Sequence, residues 1–199
     1  MNFPRILKKR KGYIDRIKPF MQKSVAKVLT GQRRVGKSFL LYQLIEEILG
    51  EEPDANIIYI NLEDFAFSSL QTAEDLHSYI ISHSKEKVKN YIFIDEIQDI
   101  PGFEKVIRSL LLNEDNDIYI TGSNAKMLSG ELATYLSGRY IEFKIYSLSY
   151  SEFLEFHGLT ESETSYELYS RYGGLPYLLN LPLEDETVNE YLKSVYSTI

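Results

Sequence analysis

The chain of 199 residues contains no cysteine. That excludes disulfides, thiolate zinc sites and thiol catalysis, and it fits a reducing cytoplasm, the expected location. No apolar run approaches the length needed to span a bilayer. Lys8, Lys9, Arg10 and Lys11 make a basic N-terminal stretch with no apolar core behind it, which is not the pattern of a signal peptide. The three histidines, His77, His83 and His157, share no metal-ligand spacing with carboxylates and read as surface or partly buried residues. There is no internal repeat and no low-complexity tract. The apolar share of 44% and charged share of 26% are those of an ordinary globular protein. This length holds one substantial domain, or one domain and a fragment of a second.

Acidic charge is scarce at the start. Residues 1–37 carry 12 Lys/Arg and a single acid, Asp15, while the remaining 162 residues carry 10 Lys/Arg and 28 acids. A basic opening segment of this kind meets nucleic acid, anionic lipid or a nucleotide, or else lies as a solvated basic helix against an acidic body. The sequence leaves these readings open. Tyrosines are numerous, and Tyr166, Tyr169 and Tyr172 recur at helical spacing. We read them as core and rim residues rather than a base-stacking platform.

From Ser24 onward short β-branched runs alternate with longer amphipathic stretches. Strands are predicted at 25–30, 56–61, 91–95, 117–122 and 139–145, with helices at 37–49, 72–84 and 104–113. This alternation implies a parallel sheet with helices on both faces. After Ile145 only helices are predicted. Ser149 with Glu152, and Thr160 with Glu163, have the spacing of capping boxes. Gly173–Gly174 ends a helix and Pro176 starts another. The last helix, 184–197, groups Val188, Tyr191, Leu192 and Val195 on one face and stops abruptly, which reads as a truncated helical subdomain. The expected organisation is a basic helical segment over 1–23, an α/β core over 24–146 and a helical lid over 147–199.

GQRRVGKS, Gly31 to Ser38, satisfies the phosphate-binding pattern G-x-x-x-x-G-K-[ST] and sits between a strand and a helix. Gly31 and Gly36 permit the tight turn that aims backbone N–H groups at phosphate oxygens. Lys37 supplies a point charge for the β and γ phosphates. Ser38 offers a hydroxyl to Mg²⁺ at a helix N-terminus, whose dipole favours an anion. Gln32, Arg33, Arg34, Val35 and Phe39 complete the expected contact segment, although Arg33 and Arg34 occupy variable positions and also read as solvent-facing.

YIFIDEIQ, Tyr91 to Gln98, is a buried apolar strand that delivers an acid to the sheet edge beside that loop. Asp95 is the expected metal carboxylate. Glu96 is the expected group for orienting and deprotonating an attacking water. In ITGSN, Ser123 and Asn124 are placed to reach the γ phosphate or the water, or else they form only a strand-ending turn and a helix cap. D-x-x-G at Asp99–Gly102 hints at a GTPase, yet no N-K-x-D specifies guanine and Asp95, not Asp99, ends the apolar strand. The arginine-rich lid usual in small-molecule kinases is absent.

An extra strand between the phosphate loop and Asp95, with Glu96 after the acid, resembles the P-loop ATPases that include AAA+ proteins. GQRRVGKSFLLYQL, YIFIDEIQ, YITGSNAKML, LSGRYIEFKIYSLSYSEFL and GGLPYLL follow in the order of a large prokaryotic family of AAA-type ATP-binding proteins with a poorly understood C-terminal domain. The resemblance implies an α/β P-loop NTPase core with strand order 5-1-4-3-2 and a helical lid, binding ATP with Mg²⁺ and hydrolysing it. It implies a role for Arg139 near the γ phosphate, in its own subunit or across a subunit boundary; a strand-edge arginine paired with an acid is the other reading. GGLP resembles the G-x-P element of signalling ATPases, whose proline, here Pro176, packs near adenine. A helix stop followed by a helix start explains the same residues. Three functions are therefore carried forward: an ATPase, a nucleotide-gated switch or scaffold with negligible turnover, and a DNA-binding ATPase module using the basic segment. The expected partners are ATP or ADP, and a homo-oligomer or partner protein.

Overall fold

The computed structural model describes residues 8–122, 136 and 138–197. They form two compact units. One comprises the chain up to Gln32 with Lys37–Ile145, and the other comprises Arg33–Gly36 with the chain from Tyr146 onward.

The first unit is built on five parallel strands: β1 (Ala26–Thr30), β2 (Asn56–Asn61), β3 (Asn90–Asp95), β4 (Asn116–Gly122) and β5 (Tyr140–Lys144). Their order in the sheet is β2-β3-β4-β1-β5, the predicted 5-1-4-3-2 order read from the other edge. β1, β3 and β4 are buried along their whole length, and the edge strands β2 and β5 only in part. That matches the near-continuous apolar runs of central parallel strands.

The two faces of the sheet separate by alternation. Val28, Ile58, Ile60, Ile92, Ile94, Ile118 and Ile120 share one core cluster with Leu76 and Ile80 of α3 (Ala73–His83) and with Phe103, Val106, Ile107 and Leu110 of α4 (Phe103–Leu110). The intervening Lys27, Leu29, Phe93 and Tyr119 point to the opposite face. There α2 (Lys37–Glu51) contacts β4 and buries Leu40, Leu41, Leu44, Ile45 and Ile48. Phe93 and Tyr119, register partners on β3 and β4, stack with centroids 4.4 Å apart. Each buried Leu or Ile contributes about 1.5–3 kcal/mol of transfer free energy. Lys27 and Asp117, both fully buried, pair across β1 and β4 at the strand beginnings. The Asp117 carboxylate also accepts from the Tyr119 hydroxyl (2.7 Å) and the Gln22 backbone N–H (2.8 Å).

A short helix, α1 (Lys11–Ile17), continues into a 3₁₀ turn at Lys18–Phe20 and contacts α2. Its buried Ile14 and Ile17 anchor it. Thr72 caps α3 with a full capping box to Asp75.

The second unit contains α5 (Tyr150–His157), α6 (Glu163–Tyr172), a 3₁₀ helix at Pro176–Asn180 and α7 (Asp185–Tyr196). Ser149 and Glu152 form the predicted capping box. The second predicted box does not form. Ser162, not Thr160, caps α6 by accepting from the Ser165 backbone N–H, so the cap lies two residues beyond the expected one. The Thr160 carbonyl instead accepts from the Ser165 hydroxyl at 2.8 Å. Pro176 opens a 3₁₀ helix of five residues rather than an α-helix. Tyr172, Leu178 and Val188 form the buried centre, with Tyr191 and Leu192 packed against it.

Candidate active site

β1 ends at Thr30 and α2 begins at Lys37, so GQRRVGKS spans the expected strand-to-helix turn. Gly36 has φ 93° and Arg34 φ 67°, both in the left-handed region. Such dihedrals tighten the loop, and a glycine adopts them without steric cost. Gln32, Arg33, Arg34 and Phe39 are exposed, whereas Val35 is buried. Lys37 is buried, and its ammonium donates to the carbonyls of Gly31 and Gln32, both at 3.1 Å. The loop is thus closed back on the charge that follows it.

The same ammonium lies 3.5 Å from Glu96 Oε1. Asp95, the last residue of β3, is 1% exposed and accepts a hydrogen bond from the Thr121 hydroxyl. Ser38 lies beside Asp95, close enough to favour its charged form. Burial pushes the Asp95 carboxyl above the usual carboxylate range, and the neighbouring Glu96 charge adds to this; Ser38, Thr121 and Lys37 act in the other direction. Lys37, Ser38, Asp95 and Glu96, predicted from two separate segments, therefore stand together.

Glu96 is buried and left-handed, with φ 56°. A non-glycine residue in this region is uncommon and tends to mark sites held by their surroundings. Its backbone N–H donates to Thr121 Oγ1 at 3.0 Å. Its carboxylate accepts from Gln98 Nε2 at 2.6 Å. One threonine hydroxyl thus ties the backbone of Glu96 to the side chain of Asp95.

Neither Thr121 nor Gln98 was singled out from the sequence. The signal for Thr121 is strand register. Ile94 faces Ile120 on the neighbouring strand, so the next residue, Thr121, comes level with Asp95. Ser123 and Asn124, the residues predicted within ITGSN, lie outside the described residues. Arg139 is exposed, and its carbonyl accepts from Ala26 N–H at 2.9 Å just before β5.

These residues suit a hard divalent cation. No group of three or more His, Cys, Asp or Glu able to cage a metal occurs among the described residues. One buried carboxylate beside a serine hydroxyl is the donor set of a Mg²⁺ that shares its ligands with phosphates and water.

The profile of the AAA domain family matches residues 23–154, which include the loop, Asp95, Glu96 and Thr121. The chain belongs to that family. This AAA domain is 39% identical over 194 residues to an uncharacterized protein of Haemophilus influenzae, covering 93% of this chain and 47% of the relative. It is 31% identical over 185 residues to an uncharacterized protein of Methanocaldococcus jannaschii, covering 85% of this chain and 40% of the relative. The chain thus spans less than half the length of these relatives. Among solved structures it resembles Saccharomyces cerevisiae Hsp104 in an extended-conformation complex with casein. The TM-score is 0.60 at 15% identity, covering 87% of this chain and 36% of that one. At such identity the likeness concerns the fold. The AAA domain is thus an α/β P-loop protein of the ATPase type.

In the second unit, Pro176 lies against Gly36: a Cβ built on Gly36 would come 3.7 Å from Pro176 Cγ. The Arg34 guanidinium sits 5.7 Å from the centroid of Tyr191, whose ring stacks on Tyr177.

The basic segment spends part of its charge internally. Lys9 and Lys18 bind Glu47 at 2.6 and 2.8 Å, and Lys18 also reaches Glu51 at 3.6 Å. The bonds from Lys18 and Lys9 hold the Glu47 carboxyl below its usual range. Arg10 is buried, with its backbone N–H on Gln43. No helix among the described residues is long and apolar enough to cross a membrane.

Proposed function

We propose that this domain binds ATP with Mg²⁺ and hydrolyses the β–γ phosphoanhydride. The observation that carries the reading is the convergence of the buried Lys37, Asp95 and Glu96 with Ser38 at the end of one strand. The loop's backbone and Lys37 bind the phosphates. On nucleotide binding Lys37 exchanges its present partners, two backbone carbonyls and Glu96, for phosphate oxygens. That exchange leaves Glu96 free to accept a proton from water. Ser38 and Asp95 would hold Mg²⁺, which supplies charge neutralisation on the β and γ phosphates. Thr121 fixes Asp95 and the backbone of Glu96 at a constant separation, so that metal and water are held in register. Residues 147–199 are read as the helical lid, and Arg139 is the candidate for an added charge on the γ phosphate.

The test is Mg²⁺-dependent ATP turnover beside the Glu96→Gln variant. Wild type is expected to turn over, and the variant to bind ATP with turnover reduced by roughly 10²–10⁴-fold. Binding of ATP by both proteins with turnover by neither would remove the hydrolysis reading.

The Gly36–Pro176 and Arg34–Tyr191 contacts favour a second reading, a nucleotide-gated switch. In it, occupancy of the loop sets the arrangement of α7 and turnover is negligible. The DNA-binding reading is weakened by the pairing of Lys9 and Lys18 with Glu47.

A further inference from the structure

We propose that Gln98 acts beside Glu96 on the attacking water, as its second acceptor and as the group that positions the Glu96 carboxylate. The inference rests on the hydrolysis reading and adds a residue to it. A carboxylate offers no donor, so the Gln98 atom 2.6 Å from Glu96 Oε2 is the amide nitrogen. This fixes the orientation of the amide. The remaining atom, Gln98 Oε1, is buried and has no hydrogen-bond partner among the described residues. A buried, unpaired carbonyl is costly, and in a native fold it calls for an explanation such as an unseen water or a functional role.

The local chain holds this arrangement in place. Gln98 lies in the 3₁₀ turn Ile97–Asp99, which starts from the left-handed Glu96. Ile97 and Ile100 on either side are buried in the core, the Asp99 N–H closes on the Glu96 carbonyl at 3.2 Å, and Thr121 holds the Glu96 N–H. The backbone at Gln98 is thereby fixed, and the bond from its amide to Glu96 restrains the side chain. The other oxygen of Glu96 meets Lys37, the phosphate-binding ammonium, so Gln98 stands one carboxylate away from the phosphate charge.

A water attacking phosphorus carries two protons and is oriented only when both have acceptors. Its oxygen forms a bond to the γ phosphorus while the bond from that phosphorus to the β–γ bridging oxygen breaks, and ADP leaves with the electron pair. One water proton passes to Glu96. The other stays on the new phosphate, having been directed during attack by its hydrogen bond to Gln98 Oε1. Gln98 neither gains nor loses a proton.

The experiment compares wild type, Gln98→Met and Gln98→Glu in single-turnover hydrolysis of ATP with Mg²⁺, together with equilibrium ATP binding. Met keeps the length and removes both polar groups; Glu keeps acceptors and removes the donor to Glu96. Both are expected to slow the hydrolytic step by roughly 10- to 100-fold, the effect of one or two hydrogen bonds lost from a transition state, with Kd for ATP held within about threefold. Hydrolysis by Gln98→Met at the wild-type rate overturns the proposal and leaves the ATPase reading standing. Loss of ATP affinity in step with rate overturns it too, because that is the mark of a structural role. A wild-type protein that binds ATP without hydrolysing it removes both readings together.

Discussion

Gly174 is the position where one added methyl group has the most definite consequence. A Cβ there would lie 2.2 Å from the Leu148 carbonyl oxygen and 3.0 Å from the Leu148 C and N atoms. All three are backbone atoms, so no side-chain rotation relieves the clash. The chains must separate by more than an ångström to restore van der Waals contact. Two hydrogen bonds depend on the close approach: Leu148 N–H donates to the Gly174 carbonyl at 2.7 Å, and the Tyr169 hydroxyl donates to the Leu148 carbonyl at 3.0 Å. At about 1 kcal/mol each, with a similar sum for displacing the buried Leu148, Gly174→Ala is expected to cost about 3 kcal/mol. For a chain of this size that corresponds to a fall in Tm of about 6–12 °C, read by calorimetry or far-ultraviolet circular dichroism. Gly158→Ala is the control. It adds a methyl group at φ 66° with nothing within 4 Å, so it isolates left-handed strain at about 1–2 kcal/mol. A Gly174→Ala protein no less stable than Gly158→Ala would refute the close-approach argument.

Two further substitutions probe the sheet. Thr121→Val keeps the shape but removes the hydroxyl that donates to Asp95 and accepts from Glu96 N–H. It should slow ATP turnover by roughly 10- to 100-fold and cost about 1–3 kcal/mol of stability, with Thr121→Ser close to wild type in turnover and urea midpoint. Lys27→Met leaves the buried Asp117 carboxylate without its cation and removes the bond from Lys27 to the Val25 carbonyl at 2.9 Å. The expected loss is about 3–5 kcal/mol in urea unfolding, partly restored by adding Asp117→Asn. Equal stability of Lys27→Met and wild type would show that the pair contributes no more than an apolar contact.

How much of this was legible in the sequence depends on the range of the interaction. The strands were readable because a buried parallel strand must be apolar along its length, and YIFID and DIYITG satisfy that locally. The placing of Lys37 and Ser38 at a helix start and of Asp95 at a strand end was readable because it follows from short-range backbone patterns. Thr121 and Gln98 were not, for different reasons. Thr121 acquires its role from register with a strand 26 positions earlier in the chain. Gln98 acquires its role from the left-handed backbone at Glu96, which turns the chain back so that residue 98 bonds to residue 96. A glutamate gives no warning of that dihedral.

The two glycines of GGLP show the same division within two residues. Gly173 has φ 74° and open space around it, so its role is the local one of ending α6, as the helix-stop pattern suggests. Gly174 has no left-handed φ, and its requirement comes entirely from the Leu148 backbone 26 residues away. A reading based on turn chemistry explains the first and passes over the second. The pair therefore separates under mutation. At Gly173 the strain is local, because φ 74° with ψ −169° is a backbone region that only glycine enters readily. At residue 174 any Cβ meets the same carbonyl oxygen, and no choice of side chain relieves it.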